Sequence, residues 1–135
     1  MHTKAGAYSA APMPNSVVLA NCQVLTTMEQ HSAPVTSKAP KPALWLRTYK
    51  AASGKEGRVF CSTQGASQDI VNEGFRRAII NGVFWCMALE SYIKPNMNID
   101  FVGPYNPTNF SYGSGVKNTF PLDIQGWDSP IFKNN

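Results

Sequence analysis

The chain carries little charge and few residues of the kinds that bind metals. Charged residues make up 15% of its 135 positions, with 12 Lys and Arg against 8 Asp and Glu and a net charge of +4. The basic residues scatter from Lys4 to Lys133 and form no cluster. Nucleic-acid binding needs a basic stripe interleaved with aromatic or polar readers, so no nucleic-acid partner is expected, and the charges read as solvated surface. Only two His and three Cys are present. His2 lies in the terminal tail and His31 in a polar linker, and Cys22, Cys61 and Cys86 show no C-x-x-C spacing, which leaves no ligand set for a metal. No metal or cofactor is expected, and the three thiols, each among apolar neighbours, read as buried small hydrophobes. A long apolar run is also missing. The best candidate, residues 78–89, is cut by Asn81 and Gly82 and falls well below the roughly 20 residues that span a bilayer, so no membrane partner is expected. The opening MHTKAGAYSAAPMP lacks the apolar stretch of a signal peptide, and the sequence does not indicate a localisation. No internal repeat is present.

What remains is a composition of 43% hydrophobic residues with ten Pro and ten Gly, suited to one domain with long irregular stretches. Residues 1–16, rich in Ala, Pro and Ser, read as a loose N-terminal segment. Residues 17–25 form an apolar, β-branched run of strand length. Pro34, Pro40 and Pro42 interrupt residues 26–42, which read as a surface connection. Residues 43–49 alternate Trp45, Arg47 and Tyr49 with Leu44, Leu46 and Thr48, as a strand requires. A second strand, residues 58–63, follows a loop in which Gly54 and Gly57 allow positive backbone angles, so the two strands are expected to pair as an antiparallel hairpin.

Residues 69–90 give the strongest local signal. Val71, Phe75, Ala78, Ile79, Gly82, Cys86 and Leu89 recur at three and four residues, the spacing of a helix with one buried face. Ser67 or Asp69 is expected to cap it, and Glu73 to pair with Arg77. At 1.5 Å per residue the helix would run about 30 Å. Gly74 and Gly82 lower its intrinsic propensity and suggest close packing against a neighbour. From residue 93 to 135 periodicity disappears. Phe101, Tyr105, Phe110, Tyr112 and Trp127 read there as anchors of an irregular tail.

The junction CSTQGASQD joins a strand, a Gly-containing turn and a helix start, a place where amides and a positive helix end hold an anion or present a nucleophile. Cys61 lies inside the strand, four residues before Gly65, and no His follows it in the chain to act as base. Asp69, Glu73, Asp100, Asp123 and Asp128 are the carboxylates available for acid–base work on a sugar. For Asp69 and Glu73 the helix-end role weighs more. Trp45, Tyr49 and the tail aromatics can stack on a sugar ring or fill a core.

Taken together, LWLRTY, then GKEGRVFCSTQGASQDIVNEGFRRAIINGVFWCMALE, then NMNIDFVGPYNPTNF resemble the C-terminal part of the ThuA-like family, named for trehalose utilisation. The W-x-R-x-Y strand, the GRVF strand entering a T-x-G turn, the EGFRR helix and the D-F-V-G-x-Y-x-P-T-x-F tail carry the likeness jointly. The resemblance implies an α/β fold: the C-terminal part of a flavodoxin-like, class I glutamine amidotransferase-like three-layer sandwich, found in bacterial proteins tied to carbohydrate metabolism. Residues 17–92 would be the partial ThuA-like domain and 93–135 its tail. A sugar-binding site is then expected at the turn, with Thr63, Gln64, Gly65, Ser67 and Asp69. Many members carry T-x-G-H there, and this chain has Thr63, Gln64, Gly65 and Ala66, so no role of that histidine carries over.

One helix and three strands cannot cover both faces of a buried sheet. The chain is therefore expected to be a truncated product or half of a split domain, exposing an apolar sheet face to a partner chain or to the missing N-terminal half. Two other readings stay open: a non-enzymatic interaction or structural module, and an amidotransferase-type hydrolase using Cys61.

Overall fold

The computed structural model describes residues 1–108 together with Tyr112, Gly113, Gly115, Lys117, Asn118 and Phe120. The chain divides into two compact units, Met1–Ile99 and Asp100–Asn135.

The first unit is a mixed α/β structure. It contains three strands, β1 (Val17–Cys22), β2 (Lys41–Lys50) and β3 (Glu56–Ser62), and one α-helix, α1 (Glu73–Cys86). The strands form a single sheet in the order β1-β2-β3, antiparallel throughout. No parallel pair occurs among the described residues, so the parallel layer of a flavodoxin-like sandwich is not part of what they form.

The expected hairpin is present. Leu46 faces Phe60 and Trp45 faces Cys61, in a ladder that runs from Leu44↔Ser62 to Lys50↔Glu56. Its turn closes through Ala51 N to Lys55 O at 2.8 Å and Gly54 N to Ala51 O at 2.9 Å. Gly54 takes φ +84°, the left-handed region that favours glycine. Gly57 serves differently from the expectation. It lies in β3 opposite Tyr49, whose ring covers the space a Cβ would fill. Between β1 and β2 the register slips twice, with Leu19 the extra residue on one strand and Ala43 on the other. The proline-rich connection is more ordered than its composition suggests. Leu25 bridges Pro34, with Thr26 N to Ala33 O at 2.9 Å and Val35 N to Val24 O at 2.8 Å. Pro42 stands near the start of β2, where a missing N–H is tolerated.

The helix is shorter than its periodicity predicts. A 3-10 turn, Ser67–Val71, precedes it, and Asn72 interrupts the two at φ −69° and ψ 117°. Asn72 is the cap, in place of Ser67 or Asp69, because its side-chain oxygen accepts from Phe75 N at 3.0 Å. Fourteen residues give about 21 Å. At the far end Ala88 adopts φ +59° while Leu89 N reaches Phe84 O at 2.9 Å, so the chain leaves the helix through a left-handed residue without glycine. The expected Glu73 to Arg77 pair forms at 3.1 Å.

Phe75 packs against Ala43 and Leu44 of β2, with Ala20, Cys22, Phe60, Ile70, Ala78 and Ile79 around them. Gly82 brings α1 onto β3: a Cβ there would stand 2.5 Å from the Phe60 ring. Gly74 is not such a site, since its hypothetical Cβ meets only ordinary contacts. Among the described residues the buried hydrophobics are Ala43, Leu44, Phe75 and Ile99, a small core for a sheet of this size. Val17 and Leu19 of edge strand β1 are more than half exposed, and so are Val71 of the 3-10 turn and Met87, the residue that follows α1. All three thiols are free, but Cys86 is exposed and Cys22 and Cys61 are half-buried, so none is the fully buried hydrophobe expected.

Three arginines tie these parts together through backbone carbonyls. Arg58 donates to Trp85 O at 2.9 Å, pairs with Glu90 and stacks over the Trp85 ring. Arg76 reaches Ile99 O at 2.7 Å and Ile70 O at 2.9 Å, and Arg77 reaches Met97 O at 3.3 Å. In the second unit, Phe101 and Tyr105 stack with ring centroids 4.6 Å apart. Phe110 and Trp127 lie outside the described residues.

Candidate functional site

The structure does not gather the five residues expected at the turn around one space. Thr63 is buried: its amide donates to Ala43 O at 3.0 Å and its hydroxyl lies 3.5 Å from Pro42 O, so it extends the β2–β3 contact past the end of β3. Gly65 is exposed in open space and does not need a positive φ. Ser67 is exposed at the start of the 3-10 turn. The turn itself is stapled by Ser62, whose hydroxyl donates to Gln64 O at 2.5 Å and accepts from Gln64 N at 3.1 Å. The junction leads into the 3-10 turn Ser67–Val71, and α1 begins only at Glu73, so the α-helix start expected there lies further along the chain.

Asp69 has a different task. It is only 2% exposed, and its carboxylate accepts from the backbone amides of Lys4 at 2.7 Å and Ala5 at 3.4 Å. A side chain 65 residues away thus anchors the N-terminal segment. Arg47 supplies a second tie from the sheet, with its guanidinium 2.9 Å from the Met13 sulfur.

With residues 1–7 held in this way, a cavity of about 590 Å³ forms between them, the stretch from Asn21 to His31, and Gln64. Its volume lies within the range of small-ligand sites. Of the five expected site residues, Gln64 alone lines it. The other polar lining comes from His2, Lys4, Asn21, Gln23, Gln30 and His31, with Thr3 and Thr27, and Cys22 and Met28 provide softer surface. Gln23 shapes the wall by donating from its side-chain amide to Lys38 O at 3.0 Å and Val35 O at 3.2 Å. Cys22 donates to Lys41 O at 3.3 Å.

Both histidines therefore meet at one cavity, although the sequence places them in a tail and a linker. Among the described residues no group of three or more His, Cys, Asp or Glu is arranged to hold a metal ion, and no helix is long and apolar enough to cross a membrane. Of the carboxylates considered for acid–base work, Asp69 is engaged by amides, Glu73 pairs with Arg77, and Asp123 and Asp128 lie outside the described residues. Cys61 sits in β3 opposite Trp45 and does not line the cavity.

The cavity residues outside the turn gave one signal in the sequence, the density of amide and hydroxyl side chains between Asn21 and His31. Comparison with protein-family models, curated proteins and solved structures finds no match to this chain.

Proposed function

We propose that the chain is the C-terminal portion of a ThuA-like domain of carbohydrate metabolism, that its sheet and helix belong to a flavodoxin-like sandwich, and that it holds a sugar in the cavity beside Gln64. The single observation that carries the ligand reading is the lining. Amide and hydroxyl side chains from three separate segments converge on a space of sugar size, and such groups exchange hydrogen bonds with sugar hydroxyls in both directions. The fold reading draws support from the W-x-R-x-Y strand pairing with the GRVF strand and from the EGFRR helix packing on them. The small core fits a domain whose remaining layers lie elsewhere.

Saturation-transfer NMR and calorimetry with trehalose and its keto form test the site. Gln64→Ala should weaken binding by about three- to tenfold, the loss of one neutral hydrogen bond. Ser67→Ala, outside the cavity, should leave it unchanged. Equal affinity of the Gln64 variant and the parent would remove the site.

A second reading, an interaction module, is favoured by edge strand β1, whose Val17 is 61% and Leu19 53% exposed. Exposed apolar edges pair with other strands. A stable complex in sedimentation that Leu19→Lys abolishes, with no sugar binding, would favour this reading over the first.

A further inference from the structure

The charge of the cavity lining narrows the kind of sugar it takes. Lys4 brings an amine that donates hydrogen bonds, and the imidazoles of His2 and His31 can each donate an N–H. No Asp or Glu lines the cavity. The two carboxylates nearest in the chain to the lining residues are turned to other uses or stand outside it. Asp69 is occupied by the Lys4 and Ala5 amides, and Glu29, between two lining residues, is exposed and does not itself line the space. A site for a neutral sugar has no need to exclude carboxylates. One with three cationic or N–H donating groups and no acid favours negative charge at close range.

We propose that the cavity binds an anionic sugar, with its carboxylate or phosphate toward Lys4, His2 and His31 and its hydroxyls toward Asn21, Gln30 and Gln64. This rests on the sugar reading above and adds the charge of the ligand. The amide groups supply paired donors and acceptors for hydroxyls, and the basic groups supply donors only, so the lining carries both kinds of group that such a ligand needs.

The test is calorimetric titration of the full chain with glucose 6-phosphate, glucuronate, trehalose and inorganic phosphate at low and moderate salt. The anionic sugars should bind about tenfold more tightly than trehalose, and added salt should narrow the gap. Lys4→Ala, which keeps the amide that holds Asp69, and His31→Gln, at an exposed position, should each weaken the anionic sugars several-fold more than they weaken trehalose, and equal losses for both kinds of sugar would overturn the charge inference. Whichever of the phosphate and carboxylate sugars binds more tightly identifies the source of the charge. Trehalose binding as tightly as the anionic sugars would overturn the charge inference while sparing the sugar reading. Inorganic phosphate binding as tightly as glucose 6-phosphate would overturn the sugar reading, and the proposal with it. No binding of any probe would overturn both.

Discussion

Asp69→Ala should release the N-terminal segment before it harms the rest of the fold. The carboxylate is buried and accepts from Lys4 N at 2.7 Å, a short bond to a charged-type acceptor, and from Ala5 N at 3.4 Å, near the limit of a hydrogen bond. A hydrogen bond to a carboxylate contributes about 1.5–3 kcal/mol, and the longer contact adds little, so about 2 kcal/mol of docking energy is at stake. That corresponds to a roughly 30-fold rise in the local opening constant of residues 1–7. Hydrogen exchange read by NMR at the Lys4 and Ala5 amides measures it, and amides of β2 and α1 serve as the internal reference. Exchange should accelerate at residues 4 and 5 well beyond any change at Leu44 or Ile79.

Lys4→Pro tests the same bond from the other side. It deletes the donor and leaves the carboxylate in place, and the exposed Lys4 side chain contributes little to packing. Combined with Asp69→Ala, it should cost almost nothing further, because each substitution removes the same interaction. Unchanged exchange at Ala5 in Asp69→Ala, or additive effects in the double variant, would refute the anchoring role. Uniform acceleration through β2 and α1 would make Asp69 a support of the core instead.

Two further outcomes follow from the same geometry. Gly74→Ala should raise stability by about 0.5–1 kcal/mol through helix propensity, whereas Gly82→Ala should lower it by about 1 kcal/mol, because the new methyl meets the Phe60 ring at 2.5 Å and overpacking outweighs the propensity gain. Urea melts compare them, and equal gains at both positions would show that α1 does not lie against β3 as described. A backbone amide and the Arg58 guanidinium hold the Glu90 carboxyl below its ordinary value of 4.5. A depressed folded-state value contributes stability above the unfolded value and loses it as pH falls through the folded one. The parent should therefore lose more melting temperature than Glu90→Gln on acidification from about pH 6 to about pH 3, and parallel curves would contradict this.

Local pattern made parts of the fold legible and long-range partners hid the others. The hairpin could be read because alternation in LWLRTY and the glycines of its turn act over a few residues. The middle of α1 could be read because Phe75, Ala78, Ile79 and Gly82 mark one face. Its ends could not be, since a 3-10 turn takes up residues 67–71, where Asp69 accepts from amides 64 and 65 residues away, and α1 starts only after Asn72, which accepts from Phe75 N. The two helix glycines looked alike in sequence, and only the position of Phe60 distinguishes them. The candidate site shows the same division. The turn of Gln64 was visible, but the cavity needs residues 1–7 and 21–31 beside it, and no spacing rule joins segments so far apart.

Arg47 sharpens what this means for residues 1–16. On β2 it alternates with Leu46, which faces Phe60 in the ladder beneath α1, so Arg47 belongs to the opposite face of the sheet. There its guanidinium meets the Met13 sulfur, and its Nε is buried with no hydrogen-bond partner. A thioether is a weak acceptor, and a buried N–H without a partner carries a desolvation cost of about 1–3 kcal/mol. The helix side of the sheet is thus held by apolar contact through Phe75 and Gly82, while the N-terminal segment is tied down at two polar points of unequal quality, one on the 3-10 turn before α1 and one on the second face of the sheet. The strong one is Asp69 and the weak one is Arg47. Because the cavity uses residues 1–7 as a wall, the integrity of the candidate site depends on the Asp69 tie far more than on the Arg47 contact.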